Sequence, residues 1–340
     1  MKKIVYVGFA FQHHKETHAG YNQIRNHINY DYIIDCQIYH DDCCKSSGLN
    51  IIQRGWRNKI LMKFFGTPVI PWFLLKCIFL GIVKKNLIFH FIYGENLYFP
   101  IKKFIRRSNK IVCTLHQPYE WFENNPQFTN RLREVNSIIL VGDTELEQFK
   151  VLTGKKSVYY IPHGIDTDFY RPDFSKGKEH NLLTVGNWLR NYSFANEVYK
   201  ALLRIDSELH IYIVANSSNK NMIELHEKIH FLSGITDEQL RDLYQKSSAI
   251  FLPLIRYTAN NSLLEAGATG CNIIISSDNQ DNTYIPTNYI SLCTMNVDKA
   301  VDVIKRSMEK VYNTKLSEYV ERQYSWKIIG EKIYNILMQI

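Results

Sequence analysis

Two loops in the second half of the chain carry residue types that can hold a phosphate. One follows the apolar run Asn181–Val185 and offers Gly186 for close backbone approach and Arg190 for charge. The other contains Thr258, Asn260, Asn261 and Ser262 and precedes a helical pattern that starts near Ser262. Small polar residues at that point either cap the helix or leave its first amides to an anion. Glu265 lies one turn into the helix, where a carboxylate can accept ribose hydroxyls or complement the helix dipole. Near the start, His13, His14 and His18 share a loop. His14 and His18 are four apart, a spacing that can bind metal on a helix, but no third ligand accompanies them, and lining of a cleft is the better reading. His116 stands at the end of an apolar run, and the aromatic cluster Tyr119–Phe122 follows it. Such rings stack on sugars or fill a core.

These residues need a scaffold of parallel strands, because open sheets bind ligands at the carboxyl ends of their strands. Short runs rich in β-branched and aromatic residues recur at Lys3–Phe9, Ile33–Tyr39, Leu87–Phe91, Lys110–Leu115 and Ser137–Val141. Their spacing predicts buried parallel strands with crossovers between them, and a helix near Gly20–His27. A hinge is expected over Ile161–Pro172, where two prolines, a glycine and two aspartates break any regular element; His163 within it reads as structural. A second series follows. It has strands at Asn181–Val185, His210–Ala215, Ile229–Phe231, Ala249–Leu252 and Asn272–Ser276, and helices near Phe194–Arg204, Asp237–Lys246 and Ser262–Ala268. Thr236, with Glu238 close behind, opens the middle helix, and Trp326–Met338 predicts a last one. Two α/β units result.

The 340 residues suit two domains, and 45% are hydrophobic, enough for a core in each. Seven cysteines are present, an odd number without a C-x-x-C pair. That argues against a zinc cluster and, with no secretory leader read at the start, for a reducing compartment. The net charge of +8 is unevenly placed: residues 1–110 hold 17 Lys+Arg against 6 Asp+Glu. An anionic partner of the first half is implied, nucleic acid or a membrane face, although a generic basic surface would look the same. No helix-turn-helix, zinc finger or aromatic RNA platform is visible, which argues against nucleic acid. The most apolar stretch, Pro68–Val83, is short of the roughly 20 residues of a spanning helix. It is flanked by Arg54, Arg57, Lys59 and Lys63 and by Lys84 and Lys85. It is either a core helix or one that lies in a membrane interface.

Four segments occur in order: IPHGID from Ile161, VGNWLRN from Val185, FLSGITDEQLRDLYQKSSAIFLP from Phe231 and NSLLEAGATGCNIIIS from Asn261. Together they resemble glycosyltransferase family four, a large retaining family of GT-B architecture. The resemblance covers residues 155–290 and extends more loosely over 1–154. It implies an α/β fold of two Rossmann-like, doubly wound domains facing a central cleft. Residues 1–165 would bind the acceptor, 166–325 would bind a nucleotide-sugar donor, and 326–340 would form a helix that returns to the first domain. By the same resemblance Glu265 binds the ribose, and Ser262, Leu263 and Leu264 present amides to the diphosphate. Gly234 and Ile235 hold the nucleobase, Gly20 lies beneath the phosphates and His116 sits near the donor sugar. Gly186, Arg190, Thr258, Asn260 and Asn261 complete the donor set, with His116 and Arg190 as catalytic candidates.

The implied activity is sugar transfer with retention to a glycan or lipid-linked acceptor, in bacterial-type surface polysaccharide or glycoconjugate synthesis. No metal or cofactor is required, because Arg190 and a helix dipole can balance the diphosphate. The expected location is cytoplasmic, with peripheral attachment to the inner membrane face as an option. Three positions depart from the family pattern. Tyr257 replaces the first Glu of its E-x7-E motif. Asn187 and Tyr192 replace its usual Arg and Lys, so Arg190 is the remaining cation of that loop. Tyr257 motivates the alternative of a non-catalytic nucleotide-sugar-binding subunit that supports a partner transferase.

Overall fold

The computed structural model describes residues 1–11, 17–35, 72–155, 157–187, 189–255, 260–276 and 284–340. They divide into two units, one of residues 1–163 with 326–340 and the other of residues 164–325.

In the first unit the apolar runs become strands buried on both faces. Its elements are β1 (Lys3–Gly8), β2 (Tyr32–Asp35), α1 (Trp72–Val83), β3 (Leu87–Phe91), the short α2 (Gly94–Leu97), β4 (Lys110–Leu115), α3 (Tyr119–Glu123), α4 (Pro126–Leu132), β5 (Ser137–Leu140), α5 (Leu146–Thr153) and β6 (Val158–Tyr160). All six strands are parallel, in the order β2-β1-β3-β4-β5-β6. Strands paired this way and covered on both sides read as continuous hydrophobic sequence, and every residue of β3 and β5 is buried. The order reverses between β1 and β3.

The second unit repeats the plan. It contains β7 (Glu179–Val185), α6 (Tyr192–Ile205), β8 (His210–Val214), β9 (Ile229–Leu232), α7 (Asp237–Lys246), β10 (Ser247–Pro253), α8 (Asn261–Ala268), β11 (Asn272–Ser276), β12 (Ser291–Cys293), α9 (Val297–Met308) and α10 (Thr314–Tyr324). Its sheet is also six-stranded and parallel, in the order β12-β11-β10-β7-β8-β9, and reverses between β7 and β10. One face packs α6 and α9 on the sheet through Tyr199, Leu202, Ile211, Phe251 and Ile304, all buried. Each unit is thus a Rossmann-like doubly wound α/β layer.

The chain then returns to the first unit as α11 (Trp326–Gln339). Trp326 is buried against the rings of Tyr21, His163 and His27. A Cβ on Gly330 would lie 2.6 Å from the His27 carbonyl oxygen, so this helix meets backbone directly.

Several expectations need correction. The segment after Gly20 is a 3-10 helix, Tyr21–Asn26, because Tyr21 and Ile24 are both drawn into the core at a three-residue spacing. β12, α9 and α10 were not anticipated; β12 has three residues, too few for a periodic signal. The capping box at Thr236 is closed by Gln239, not Glu238: the hydroxyl accepts from the Gln239 N–H at 3.3 Å, and the Gln239 side chain accepts from the Thr236 N–H at 2.9 Å. Four cysteines, Cys77, Cys113, Cys271 and Cys293, are buried and unbridged; Cys36, Cys43 and Cys44 lie outside the described residues.

Candidate functional site

In the second unit the sheet reverses where the loops after β7 and β10 leave its carboxyl edge, the place where open α/β sheets bind ligands. The two loops are tied together. The Asn191 N–H donates to Pro253 O at 2.8 Å, and the Ile255 N–H donates to Leu189 O at 3.0 Å. Between them lies Arg190. Its Nε donates to Val185 O at 3.0 Å, and its Nη2 donates to Ser262 Oγ at 2.9 Å and Asn260 Oδ1 at 3.2 Å. Gly186 makes this possible. Its φ is 125°, and a Cβ there would lie 2.6 Å from Arg190 Nη2. Burial lowers the guanidinium to about 10, so it stays charged at neutral pH.

Arg190 therefore sits against the start of α8. Asn260 caps this helix by accepting from the Leu263 N–H at 3.3 Å, and it also accepts from Ser262 Oγ at 2.7 Å. The Leu264 N–H bonds Asn260 O, as an ordinary first helical bond. The amide trio expected at the diphosphate is thus redistributed. Leu263 and Leu264 are engaged by Asn260, while the Asn261 and Ser262 amides have no partner among the described residues. The buried Asn260 Nδ2 is likewise unpartnered among the described residues. A cation beside the positive end of a helix is unfavourable on its own and favourable once an anion joins them.

Glu265 is almost wholly buried, and one carboxylate oxygen accepts from the Tyr244 hydroxyl at 2.9 Å. Burial pushes the carboxyl up to about 7 against the pull of that hydrogen bond. Tyr244 and its edge-on neighbour Tyr170 were not singled out in the sequence: Tyr244 lies within the predicted helix Asp237–Lys246 and Tyr170 within the hinge Ile161–Pro172. The replaced positions have local roles. Asn187 Oδ1 accepts from the Asn216 N–H and from Asn219 Nδ2, and the Tyr192 hydroxyl donates to Gly186 O. Gly234 has a φ of 70° and with Ile235 forms the turn after β9. Thr258, Tyr257, His13 and His14 lie outside the described residues.

The first unit has its own cluster at the β1/β3 reversal. Gly20, at a φ of 95°, turns the chain so that the Tyr21 N–H meets the Tyr93 hydroxyl at 3.2 Å. The His116 ring packs on Tyr21 and Tyr93, with centroids 4.7 Å away in each case. Glu95, buried on α2, accepts from the His116 N–H at 3.1 Å and lies 3.4 Å from its Nδ1. Glu95 was missed because a lone carboxylate in an apolar stretch carries no spacing signal. His163, expected to be structural, is buried against Tyr21 and Trp326. No group of three or more His, Cys, Asp and Glu side chains able to hold a metal occurs among the described residues.

A family model described as glycosyl transferases group 1 matches residues 179–313, the span that carries the loops, Glu265 and Gly234. No curated protein matches by sequence. Solved structures share the fold at low identity. The Anabaena protein HepE, in complex with UDP and glucose, superposes with a TM-score of 0.68 at 12% identity over 100% of both chains. Sucrose-phosphate synthase from Thermosynechococcus elongatus gives 0.67 at 13%, over 99% of both. TarM from S. aureus, in complex with Fondaparinux, alpha-GlcNAc-glycerol and UDP, gives 0.62 at 13% over 77% of this chain. This chain spans 58% of that protein. The architecture is the two-domain GT-B fold.

Proposed function

We propose that this protein is a glycosyltransferase that takes a sugar from a nucleotide-sugar donor held by the second unit and passes it to a hydroxyl of a glycan or lipid-linked acceptor. The observation that carries this reading is Arg190 held against the amino end of α8 at the reversal of the sheet, inside the segment that matches the group 1 model. UDP occurs in the HepE and TarM complexes, which makes UDP-sugars the first donors to test.

The chemistry follows from the charge. The bond from the sugar C1 to the diphosphate oxygen breaks, and the acceptor oxygen bonds to C1. The acceptor proton passes to the leaving diphosphate. Negative charge grows on that group, where Arg190 and the Asn261 and Ser262 amides stabilise it more in the transition state than in the ground state. This arrangement needs no metal, and attack from the leaving-group face gives retention. Glu265 accepts the ribose hydroxyls, and the Gly234–Ile235 turn receives the base. The Glu95–His116 pair is the first unit's contribution to sugar handling. A role in bacterial-type surface polysaccharide or glycoconjugate synthesis fits this chemistry.

A thermal-shift screen of UDP-, GDP-, ADP- and CDP-sugars, followed by donor turnover, tests the reading. A ligand at about a hundred times its Kd adds about 2.7 kcal/mol of stability. One donor class is expected to shift the melt and to be turned over. Tyr257 favours a second outcome, since a tyrosine cannot carry the negative charge of the family's glutamate at neutral pH. A shift without turnover, with a large gain in Tyr257→Glu, replaces the enzyme by a binding subunit.

A further inference from the structure

Apart from the exposed Lys76, the helix α1 is apolar throughout, yet only part of it is covered. Leu74, Cys77 and Gly81 are buried. Trp72, Leu75, Phe79, Ile82 and Val83 form an exposed stripe at helical spacing, with Trp72 at 73% and Phe79 at 70% exposure. A stripe of this kind on a water-facing helix marks a surface that meets something apolar.

Its surroundings indicate what. Val83 opens onto a cleft of about 550 Å³ at the amino edge of the first sheet, lined also by Lys3, Lys84, Lys85, Arg106 and Tyr32. Among the described residues no acidic side chain lines it. Lys3 pairs with Asp31 at 3.9 Å on the rim, so Lys84, Lys85 and Arg106 carry most of the positive charge of the cleft. Arg106 is anchored by its Nε on Ile82 O at 2.6 Å, which leaves its terminal nitrogens for another partner. An exposed apolar stripe ending in a basic cleft matches the two layers of an anionic bilayer surface, acyl chains under phosphate headgroups. The helix has 12 residues, and no helix among the described residues is long and apolar enough to cross a membrane.

We infer that the first unit docks on an anionic lipid surface through the α1 stripe, with headgroup phosphates in the cleft formed by Lys3, Lys84, Lys85 and Arg106. This goes beyond the transferase reading and stands independently of it, because docking needs no nucleotide.

Sedimentation with phosphatidylcholine vesicles, with and without phosphatidylglycerol, at low and high salt, tests it on the full chain. The native protein is expected to sediment with the phosphatidylglycerol vesicles at low salt and to be released at high salt. The double variant Leu75→Glu/Phe79→Glu should lose about tenfold or more of that binding. Lys84→Glu/Lys85→Glu should lose the preference for anionic vesicles. All four side chains are exposed, so a native melting temperature is expected in both variants and checks the fold. Absent sedimentation, equal binding to both vesicle types, or native-like binding by both variants would overturn the inference. So would a dimer in solution that the Leu75→Glu/Phe79→Glu variant dissolves, since a second copy would then cover the stripe.

Discussion

At the residue scale the informative groups are carboxylates kept from water. Glu265 is held at about 7 by burial, above its ordinary value of 4.5. Because the folded-state pKa is raised, the associated stability is fully present below about pH 4.5 and is lost as pH rises through about 7, to the extent of roughly 3 kcal/mol. Glu265→Gln, which still accepts from Tyr244, is therefore expected to be more stable than the native chain at pH 8 and close to it at pH 5. Urea denaturation at the two pH values checks this, and an equal difference at both would show that the carboxyl does not titrate there. In binding, Glu265→Ala will weaken nucleotide affinity by roughly 1.5–3 kcal/mol, the range for charge-assisted hydrogen bonds. A folded variant with native affinity would remove Glu265 from the ribose. The second pair is Glu95 and His116. Glu95→Gln keeps the shape but not the charge beside His116 Nδ1, and it should lower kcat by about tenfold or more with little change in KM. A change confined to KM would assign the pair to binding alone.

At the scale of elements the sequence was readable where one pattern decided the outcome. β3, β4, β5, β10 and β11 are predominantly apolar runs, as burial on both faces of a parallel sheet favours. Asn260 as a small polar residue before α8 also marked its start, and the structure makes it the cap. What remained hidden depends on partners distant in sequence. Neither the 3-10 form of Tyr21–Asn26 nor the Glu95–His116 contact has a local signature, and Tyr244 finds Glu265 across 21 residues. The Arg190 loop lies between these cases: glycine and cation were visible, but the bonds to Asn260 and Ser262 span about 70 positions. α11 offers a test of packing. Gly330→Val puts a side chain against the His27 carbonyl oxygen, and overpacking of this kind costs typically about 1–3 kcal/mol. Thermal unfolding should show that loss, with nucleotide affinity of the folded protein retained. An unchanged melt would mean that α11 can shift away from the 3-10 helix without cost.

At the scale of the whole molecule each sheet reverses once, and each reversal gathers one cluster at its carboxyl edge: Arg190 with the start of α8 in the second unit, and Gly20, Tyr93, Glu95 and His116 in the first. On the proposed function, the second-unit cluster binds a diphosphate. Titration calorimetry of the nucleoside diphosphate selected by the donor screen, beside its parent nucleoside, tests it most directly on the native chain and on Arg190→Ala. The variant is expected to lose roughly 1.5–3 kcal/mol toward the diphosphate and almost nothing toward the nucleoside, with Arg190→Lys recovering only part of the loss. Equal losses toward both ligands, or none toward either, would contradict it.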